Sequence, residues 1–410
     1  MSETSTGDVA EAAAMAAAVA TGNWRRAGFA GAAIGVVAAG AAAGVALERL
    51  TVGRGMRRKA RLALDASGPY GALRGVPGKA LADDGTELYY EADELDPEVG
   101  APRRRRLFGR KAPAPVTVVF SHGYCLNQDS WHFQRAALRG LVRTVHWDQR
   151  SHGRSARGAS QAGTDAVPVS IDQLGRDLKA VIDAAAPTGP LVLVGHSMGG
   201  MTMMALAAHF PELVRDRVVG AAFVGTSCGK LGEVSYGLPV AGVNALRRVL
   251  PGVLRALGSQ AELVERGRRA TADLFAGLIK RYSFSSKDVD PAVGRFAERM
   301  IESTPIDVVA EFYPAFADHD KAEALTAFAD LPVLVLAGDK DLVTPSAHSE
   351  AIADELPDAE LVIVPDGGHL VMLEHPEVVT DRLADLLARI GAVPTTGNVG
   401  TYGSTAQPGG

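Results

Sequence analysis

Short runs of consecutive apolar residues recur along this chain, with stretches of helical periodicity between them. The runs that are long enough for buried strands cover residues 116–120, 144–147, 191–194, 218–224, 333–337 and 361–364. Apolar positions recur every three to four residues over 173–185, which predicts an amphipathic helix, and residues 378–390 predict a closing helix. Short apolar strands that alternate with helices are typical of a parallel sheet with both faces buried. The pattern therefore predicts an α/β fold.

Two other stretches refine this organisation. Residues 87–91 alternate after the turn dipeptide Asp84-Gly85, which predicts an N-terminal hairpin. Residues 229–328 contain helical pieces but no signal for a central strand. This gap of about 100 residues exceeds the normal length of a connection. We therefore predict a helical cap over 229–328, inserted into a core that is formed by residues 76–228 and 329–391.

The N-terminal region has a different pattern. Residues 27–46 carry no charged side chain, and about 20 such residues can cross a bilayer as a helix. The stretch is rich in Ala and Gly, so its insertion energy is weak compared with that of a Leu-rich span. We predict an apolar helix over 27–48 that acts as a membrane anchor. Arg25-Arg26 before it leaves a cleaved export signal as an alternative, and an Ala-rich soluble helix is the third interpretation.

The distribution of basic residues predicts an orientation for this segment. Two arginines precede the apolar stretch, whereas the linker over 49–75 carries several more basic side chains. Because positive charge favours the cytoplasmic side, we expect a single N-terminal span with a cytoplasmic catalytic domain, or export if the segment is cleaved. Residues 1–26 and 392–410 lack apolar periodicity and are predicted to be disordered.

Composition narrows the classes of function. The chain has 410 residues, of which 47% are hydrophobic and 22% charged, which is typical of a globular protein. The net charge of −5 gives no argument for a nucleic-acid partner. Cys125 and Cys228 are the two cysteines, and they have no metal-ligand spacing. Dinucleotide and phosphate-loop motifs do not occur in the required context, and no second cluster of ligands with suitable spacing exists, so we expect no metal.

One pentapeptide carries the clearest chemical signal. Gly195-His196-Ser197-Met198-Gly199 matches G-x-S-x-G, and it lies between a predicted strand and a predicted helix. A strand, a sharp turn and a helix form the setting in which this motif presents a nucleophilic serine. The glycines leave room for a strained turn. We therefore predict Ser197 to be a strained, exposed nucleophile.

A serine nucleophile needs a base and an acid that orients the base. Such groups gather at the carboxyl ends of parallel strands. The run 333–337 is followed by Asp339 and Asp341, and the run 361–364 is followed by Asp366 and His369. We predict His369 to be the base and Asp341 the orienting acid, because Asp339 fits a turn and Asp366 is too close to His369 in sequence to reach back.

The oxyanion that forms during acyl transfer needs backbone donors. The residue after the nucleophile, Met198, supplies one N–H at the start of a helix. The second donor is predicted to follow the strand over 116–120, where Gly123 allows a turn and Tyr124 is the best candidate. His122 is predicted to pack beneath this loop without a catalytic role.

Taken together, these motifs resemble those of the α/β-hydrolase superfamily over residues 76–391. The matching segments are Ser121–Tyr124, Asp148–Ser155, Gly195–Gly200, Gly338–Asp341 and Gly367–His369. The resemblance implies a mostly parallel, eight-stranded sheet with helices on both faces, an inserted helical cap and no cofactor. Ser151 departs from the usual D-x-R-G-H-G loop, in which glycine occupies this position. Relatives with an aspartate nucleophile are excluded because position 197 is serine.

The branch with a helical cap contains esterases, lipases, haloperoxidases, C–C hydrolases and proline iminopeptidases. We expect a serine hydrolase that cleaves small-molecule carboxylic esters, lipid-derived if the anchor exists. A cofactor-free haloperoxidase or perhydrolase, an iminopeptidase-like enzyme and a non-catalytic small-molecule-binding protein remain alternatives. An iminopeptidase needs acidic groups in the cap to hold an amine, and the candidates are Glu262, Glu265, Glu302 and Glu311.

Overall fold

A computed structural model describes residues 70–96, 115–161, 167–234, 252, 281–286 and 289–393. Eight strands form one sheet in the order β1-β2-β4-β3-β5-β6-β7-β8. Strands β3 to β8 are parallel, and the antiparallel pair β1 and β2 joins the sheet at β4. The predicted fold and the N-terminal hairpin are therefore confirmed. The strands are β1 (Val76–Leu81), β2 (Glu87–Asp93), β3 (Thr117–Ser121), β4 (Arg143–Trp147), β5 (Leu191–His196), β6 (Val218–Val224), β7 (Val333–Gly338) and β8 (Glu360–Val364).

Helices cover both faces of the sheet. In the described part of the chain, the α-helices are α1 (His132–Leu138), α2 (Ile171–Ala185), α3 (Met198–His209), α4 (Pro211–Arg217), α5 (Pro291–Ser303), α6 (Ile306–Ala317), α7 (Ser346–Glu355), α8 (Val371–Glu374) and α9 (Pro376–Arg389). Short 3-10 helices cover Gln128–Trp131, Ala159–Gln161, Leu231–Glu233 and Ala322–Phe328.

The sequence pattern places most element boundaries to within two residues. Helix α2 begins two residues before the periodic stretch, because the side chain of Ser170 accepts a hydrogen bond from the N–H of Gln173 and so caps the helix. Helix α9 begins at Pro376, whose fixed φ suits the first position of a helix. Strand β5 continues to His196, directly before the G-x-S-x-G serine.

The core lies on both faces of the sheet. Strand β5 shows this most clearly, because its side chains alternate between two buried clusters. Leu191 and Leu193 belong to one cluster, and Val192 and Val194 belong to the other. All four are fully buried, so β5 lies at the centre of the molecule and fixes the position of the turn that follows it.

The described helices between β6 and β7 pack on this core. Phe296 of α5 belongs to the same buried cluster as Val192, whereas Phe312 of α6 packs with Met198 and Met201 of α3. The predicted cap continues through residues 235–251 and 253–280, which lie outside the described residues. In the described part, the apolar face of α6 therefore serves as a contact with the catalytic core.

The predicted membrane anchor over 27–48 lies outside the described residues, as do residues 1–26, the linker over 49–69 and residues 394–410. Among the described residues, no helix is both long enough and apolar enough to cross a membrane.

Candidate active site

Ser197 occupies a strained turn between β5 and α3. Its backbone has φ 52° and ψ −119°, a region that residues with a Cβ rarely adopt. Two hydrogen bonds hold the turn: the Ser197 N–H donates to the carbonyl of Val224 at 3.0 Å, and the Thr226 hydroxyl donates to the Ser197 carbonyl at 2.7 Å. The strain predicted from the motif is present, but the residue is only 7% exposed. Ser197 is thus buried, where an exposed residue was expected.

The glycines on either side of Ser197 are required because there is no room for a side chain at their positions. A Cβ on Gly195 would lie 2.5 Å from the carbonyl carbon of Gly199, and a Cβ on Gly199 would collide with the carbonyl oxygen of Ser121. A Cβ on Gly200 would lie 2.6 Å from the side chain of Thr226. The turn therefore packs against its own backbone, against the end of β3 and against Thr226 after β6, and it fits there because these positions lack side chains.

The structure brings Ser197, His369 and Asp341 into one hydrogen-bonded chain. The Oγ of Ser197 lies 3.0 Å from Nε2 of His369, and Nδ1 of His369 lies 2.8 Å from Oδ2 of Asp341. A carboxylate only accepts, so Nδ1 carries the proton and Nε2 is left to accept from the serine hydroxyl. This tautomer is the one that general-base chemistry requires.

The alternative carboxylates lie elsewhere. Asp339 is exposed, and its carboxylate lies 3.5 Å from the ammonium group of Lys340. Asp366 is exposed and turns the chain with φ 53°, while its carbonyl accepts from Nε2 of His375 at 2.9 Å. Of the candidate acids, Asp341 is therefore the residue that contacts His369.

The carboxylate of Asp341 is buried and well supplied with donors. The N–H groups of Val343 and Thr344 donate to Oδ1 at 2.7 and 2.9 Å, and the Thr344 hydroxyl lies 2.9 Å from Oδ2. Burial raises the pKa of Asp341, but the neighbouring His369 and these hydrogen bonds outweigh it, so the net pKa lies below its ordinary value. Sequence reasoning missed Thr344, although Thr three residues after Asp is a common local pairing.

His196, the variable residue before the serine, also contacts the site. Its Nε2 donates to the backbone carbonyl of His369 at 2.8 Å. Burial lowers the pKa of His196 to about 3, so the ring is neutral at physiological pH. Sequence reasoning assigned His196 no role, because an acceptor on a distant backbone leaves no local signature.

The predicted oxyanion loop lies against the serine. A Cβ on Gly123 would lie 3.2 Å from Cβ of Ser197 and 2.6 Å from Nδ1 of His196, so the loop passes over both residues. His122 holds the loop from below: its Nδ1 donates to the Gly123 carbonyl at 2.7 Å, and its Nε2 accepts from the Gln149 N–H at 2.9 Å. The expected position of His122 is thus observed.

The two predicted oxyanion donors flank the same turn. Met198 is the first residue of α3, and Tyr124 directly follows the loop glycine. Within the described residues, neither backbone N–H has a hydrogen-bond partner. The arrangement leaves both donors available, and their role as an oxyanion hole stays a prediction.

The side chain of Tyr124 binds the inserted region. Its hydroxyl donates to the carbonyl of Val309 in α6 at 2.5 Å. Its ring packs edge-on against Phe316, with 5.0 Å between the centroids, and stacks on Phe312 at 6.3 Å. The loop that is predicted to hold the oxyanion is therefore attached to the helix that packs above it.

The Asp148–Ser155 loop is structural, as expected. The Asp148 carboxylate accepts from the N–H groups of Gln128 and Arg154, both at 2.8 Å, and Arg150 forms a buried ion pair with Asp177. Ser151 has φ 63° and therefore carries a local strain of roughly 1 kcal/mol. No group of three or more potential metal ligands occurs among the residues that the structure describes.

Comparison with known proteins agrees with this geometry. A model of the Alpha/beta hydrolase family matches residues 118–382, more than half of the chain. The chain therefore belongs to the α/β-hydrolase family and is an enzyme of that family. It is 25% identical over 284 residues to 3-oxoadipate enol-lactonase 2 of Acinetobacter baylyi, a match that covers 66% of this chain and 88% of the relative.

Two further matches illustrate the range of relatives. The chain is 27% identical over 274 residues to an sn-1-specific diacylglycerol lipase of Mus musculus, covering 66% of this chain and 80% of the lipase. A thermophilic esterase from Thermogutta terrifontis has a similar solved structure, with a TM-score of 0.55 and 24% identity over 77% of this chain and 98% of the esterase. The structural match supports the fold.

Proposed function

We propose that this enzyme hydrolyses carboxylic esters through a covalent acyl-enzyme on Ser197. The observation that carries the proposal is the continuous chain of hydrogen bonds from Ser197 through His369 to Asp341. A strained serine, an imidazole whose Nδ1 faces a carboxylate and whose Nε2 faces the serine, and a buried carboxylate together constitute a serine nucleophile with its base.

In the first half of the reaction, Nε2 of His369 takes the proton from Ser197 as Oγ attacks the ester carbonyl carbon. The carbonyl oxygen becomes an oxyanion, which the N–H groups of Tyr124 and Met198 stabilise. The bond to the alkoxy group then breaks, and the imidazolium of His369 protonates the leaving alcohol. The acyl group remains on Ser197 as an ester.

In the second half, water replaces the alcohol. His369 takes a proton from the water as its oxygen attacks the acyl carbon, and the same donors stabilise the second oxyanion. The bond to Oγ of Ser197 breaks, His369 returns the proton to Oγ, and the carboxylic acid leaves. Throughout, Asp341 holds the ring orientation and stabilises the imidazolium without itself taking a proton.

Two of the four candidate carboxylates for binding a substrate amine do not favour an aminopeptidase. Glu302 pairs with Arg295 at 3.1 Å, and Glu311 pairs with Arg157 at 2.5 Å. Both carboxylates are thus already engaged with arginines and are poorly suited to bind a substrate amine. Glu262 and Glu265, the other two candidates, lie outside the described residues.

An apolar acyl group suits the surroundings of the site. The partly buried side chains of Tyr124, Leu231 and Phe316 pack on the cluster that contains Met198. If the segment over 27–48 is a membrane anchor, esters derived from lipids become the preferred substrates. We propose a single span with a cytoplasmic catalytic domain, and export after cleavage is the alternative outcome.

Hydrolysis of a p-nitrophenyl ester series, from acetate to palmitate, tests the proposed activity. We expect turnover by the full chain, none above background by Ser197→Ala, and full activity in Ser303→Ala. Ser303→Ala is a matched control, because the Ser303 hydroxyl that it removes donates to the Met300 carbonyl within the same helix. A binding protein without catalytic activity would give no turnover in any variant.

Membrane fractionation of the full chain tests the location. An anchored protein stays in the membrane after a high-salt wash and is released by detergent. Protease protection in intact cells then distinguishes a cytoplasmic from an exported domain. Recovery of uncleaved protein entirely outside the membrane fraction would rule out the anchor.

A further inference from the structure

One carboxylate joins two segments of the chain next to the proposed base. Glu374, at the end of α8, accepts from the N–H of Gly368 at 2.6 Å through Oε2. Its Oε1 accepts from the N–H groups of Ser285 and Ser286 at 3.0 and 2.8 Å. Gly368 directly precedes His369, whereas Ser285 and Ser286 belong to the region inserted between β6 and β7. A single side chain therefore connects the inserted region to the loop that carries the base.

Two direct contacts reinforce this connection. The N–H of Leu370, directly after His369, donates to the Ser283 carbonyl at 2.8 Å. The Ser285 hydroxyl donates to the carbonyl of Asp366. The backbone on both sides of His369 is thus bound to the segment Ser283–Ser286.

The approach between the two segments is close. A Cβ on Gly368 would lie 2.6 Å from the Ser285 nitrogen, so the contact requires a glycine at this position. On its other side, the loop touches the end of β7: the Lys340 N–H donates to the Gly367 carbonyl at 2.9 Å. The His369 loop therefore contacts both the end of strand β7 and the segment that Glu374 binds.

The chemistry of Glu374 suits a positioning role. Hydrogen bonds from N–H groups to a carboxylate are shorter and roughly twice as strong as those between neutral groups. A general base has to be held to within about 0.5 Å of its productive position, and a displacement of about 1 Å can lower a rate on the order of a hundredfold. The three N–H donors would lose their common acceptor if Glu374 were removed.

We propose that Glu374 is a positioning residue for His369. By binding Gly368 together with Ser285 and Ser286, its carboxylate fixes the 3.0 Å contact between Nε2 of His369 and Oγ of Ser197. This couples the inserted region to the base. A displacement of Ser283–Ser286 therefore moves His369. This inference rests on the proposed function.

The test compares Glu374→Gln with Glu377→Gln in the full chain, using the p-nitrophenyl ester that the wild type cleaves fastest. Both changes remove one negative charge, but Glu377 is exposed in the first turn of α9. In Glu374→Gln, the amide NH₂ replaces one oxygen and faces N–H donors. We expect kcat to fall about 10- to 100-fold with KM changed less than about threefold, and Glu377→Gln to match the wild type.

The split between kcat and KM separates positioning from a general loss of structure. A displaced base slows the proton transfer and therefore lowers kcat, whereas a loss of fold removes active enzyme and leaves the KM of the remainder unchanged. Thermal melts report whether each variant is folded. A folded Glu374→Gln enzyme with wild-type kcat would overturn the proposal.

If Glu374→Gln does not fold, Ser285→Ala provides the second test. It removes the hydroxyl contacts with the Asp366 carbonyl and with Oε1 of Glu374 and leaves the backbone bonds in place, so we expect a fall in kcat of roughly two- to fivefold. An unchanged kcat in this folded variant contradicts the coupling. Failure of the proposed function is distinct: it appears as an inactive wild type, or as an active Ser197→Ala variant.

Discussion

Nε2 of His196 donates a hydrogen bond of 2.8 Å to the backbone carbonyl of His369. The residue directly before the proposed nucleophile thereby holds the backbone of the proposed base. The bond runs between the ends of strands β5 and β8, which are not neighbours in the sheet. It therefore supports the geometry of the site across the two strands, β6 and β7, that lie between them.

Removal of this donor should lower the rate. We expect His196→Leu to reduce kcat roughly tenfold, because the carbonyl of His369 loses a buried partner that is worth about 1–1.5 kcal/mol. His196→Gln, whose amide nitrogen reaches a similar position, should recover most of the activity. Steady-state kinetics on folded variants checks this. Equal activities of the Leu and Gln variants would show that the bond itself is unimportant.

The role of Asp341 can be separated from that of its neighbour. Asp341→Asn preserves the shape but allows the amide to stabilise the wrong tautomer of His369, so we expect kcat to fall about 10³- to 10⁴-fold. Asp339→Asn is the matched control, since this carboxylate is exposed and pairs with Lys340. A large loss in the control and little loss at Asp341 would reverse the assignment.

The hydroxyl of Tyr124 should contribute through the position of its own backbone. Tyr124→Phe keeps the ring contacts with Phe312 and Phe316 but loses the 2.5 Å bond to the Val309 carbonyl. We expect a loss of about 1 kcal/mol, which lowers kcat roughly fivefold if it acts on the oxyanion donor. Tyr90→Phe on β2 serves as the control. A wild-type kcat in Tyr124→Phe would show that the bond to helix α6 does not affect the oxyanion loop.

Buried neutral histidines make the fold sensitive to acid. Burial lowers the pKa of His122 and His196 to about 3, and that of His152 to about 4. In the unfolded chain these rings bind protons below about pH 6.5, so stability is lost as the pH falls from there toward 4. Each ring contributes a loss of about 2 kcal/mol between pH 7 and pH 5.

One buried carboxyl opposes this effect. Burial raises the pKa of Asp148 to about 6, so its protonation in the folded state stabilises the fold by about 1 kcal/mol over the same range. The histidines outweigh it, and urea denaturation should give a lower midpoint at pH 5 than at pH 7. His152→Gln should flatten this dependence, whereas His209→Gln on the exposed end of α3 should not. A urea midpoint that is the same at pH 5 and pH 7 would contradict the conclusion that these histidines are buried in the neutral form.

Much of this architecture was predictable because it depends on local pattern. Consecutive apolar residues in β5 predicted a strand that is buried on both faces, and the glycines around Ser197 predicted a strained turn. His369 and Asp341 follow β8 and β7, whose carboxyl ends lie on the same edge of the sheet as that of β5. The family resemblance added the order of these motifs.

The supporting contacts were not predictable in the same way. His196 and Glu374 act on backbone groups, and every residue offers the same backbone groups regardless of its identity. Phe312 packs with Met198 and Met201, which lie far from it in sequence, and local periodicity does not specify such a partner. Such partners are set by the folded chain and not by local sequence.

The central claim is that Ser197 is the nucleophile. The most direct test is to treat the full chain with a fluorophosphonate and to locate the adduct by peptide mass spectrometry. We predict one adduct per chain on Ser197, no labelling of Ser197→Ala, and labelling of His369→Ala that is slower by a factor on the order of 10³. An adduct on another residue, or equal labelling of Ser197→Ala, would contradict the account.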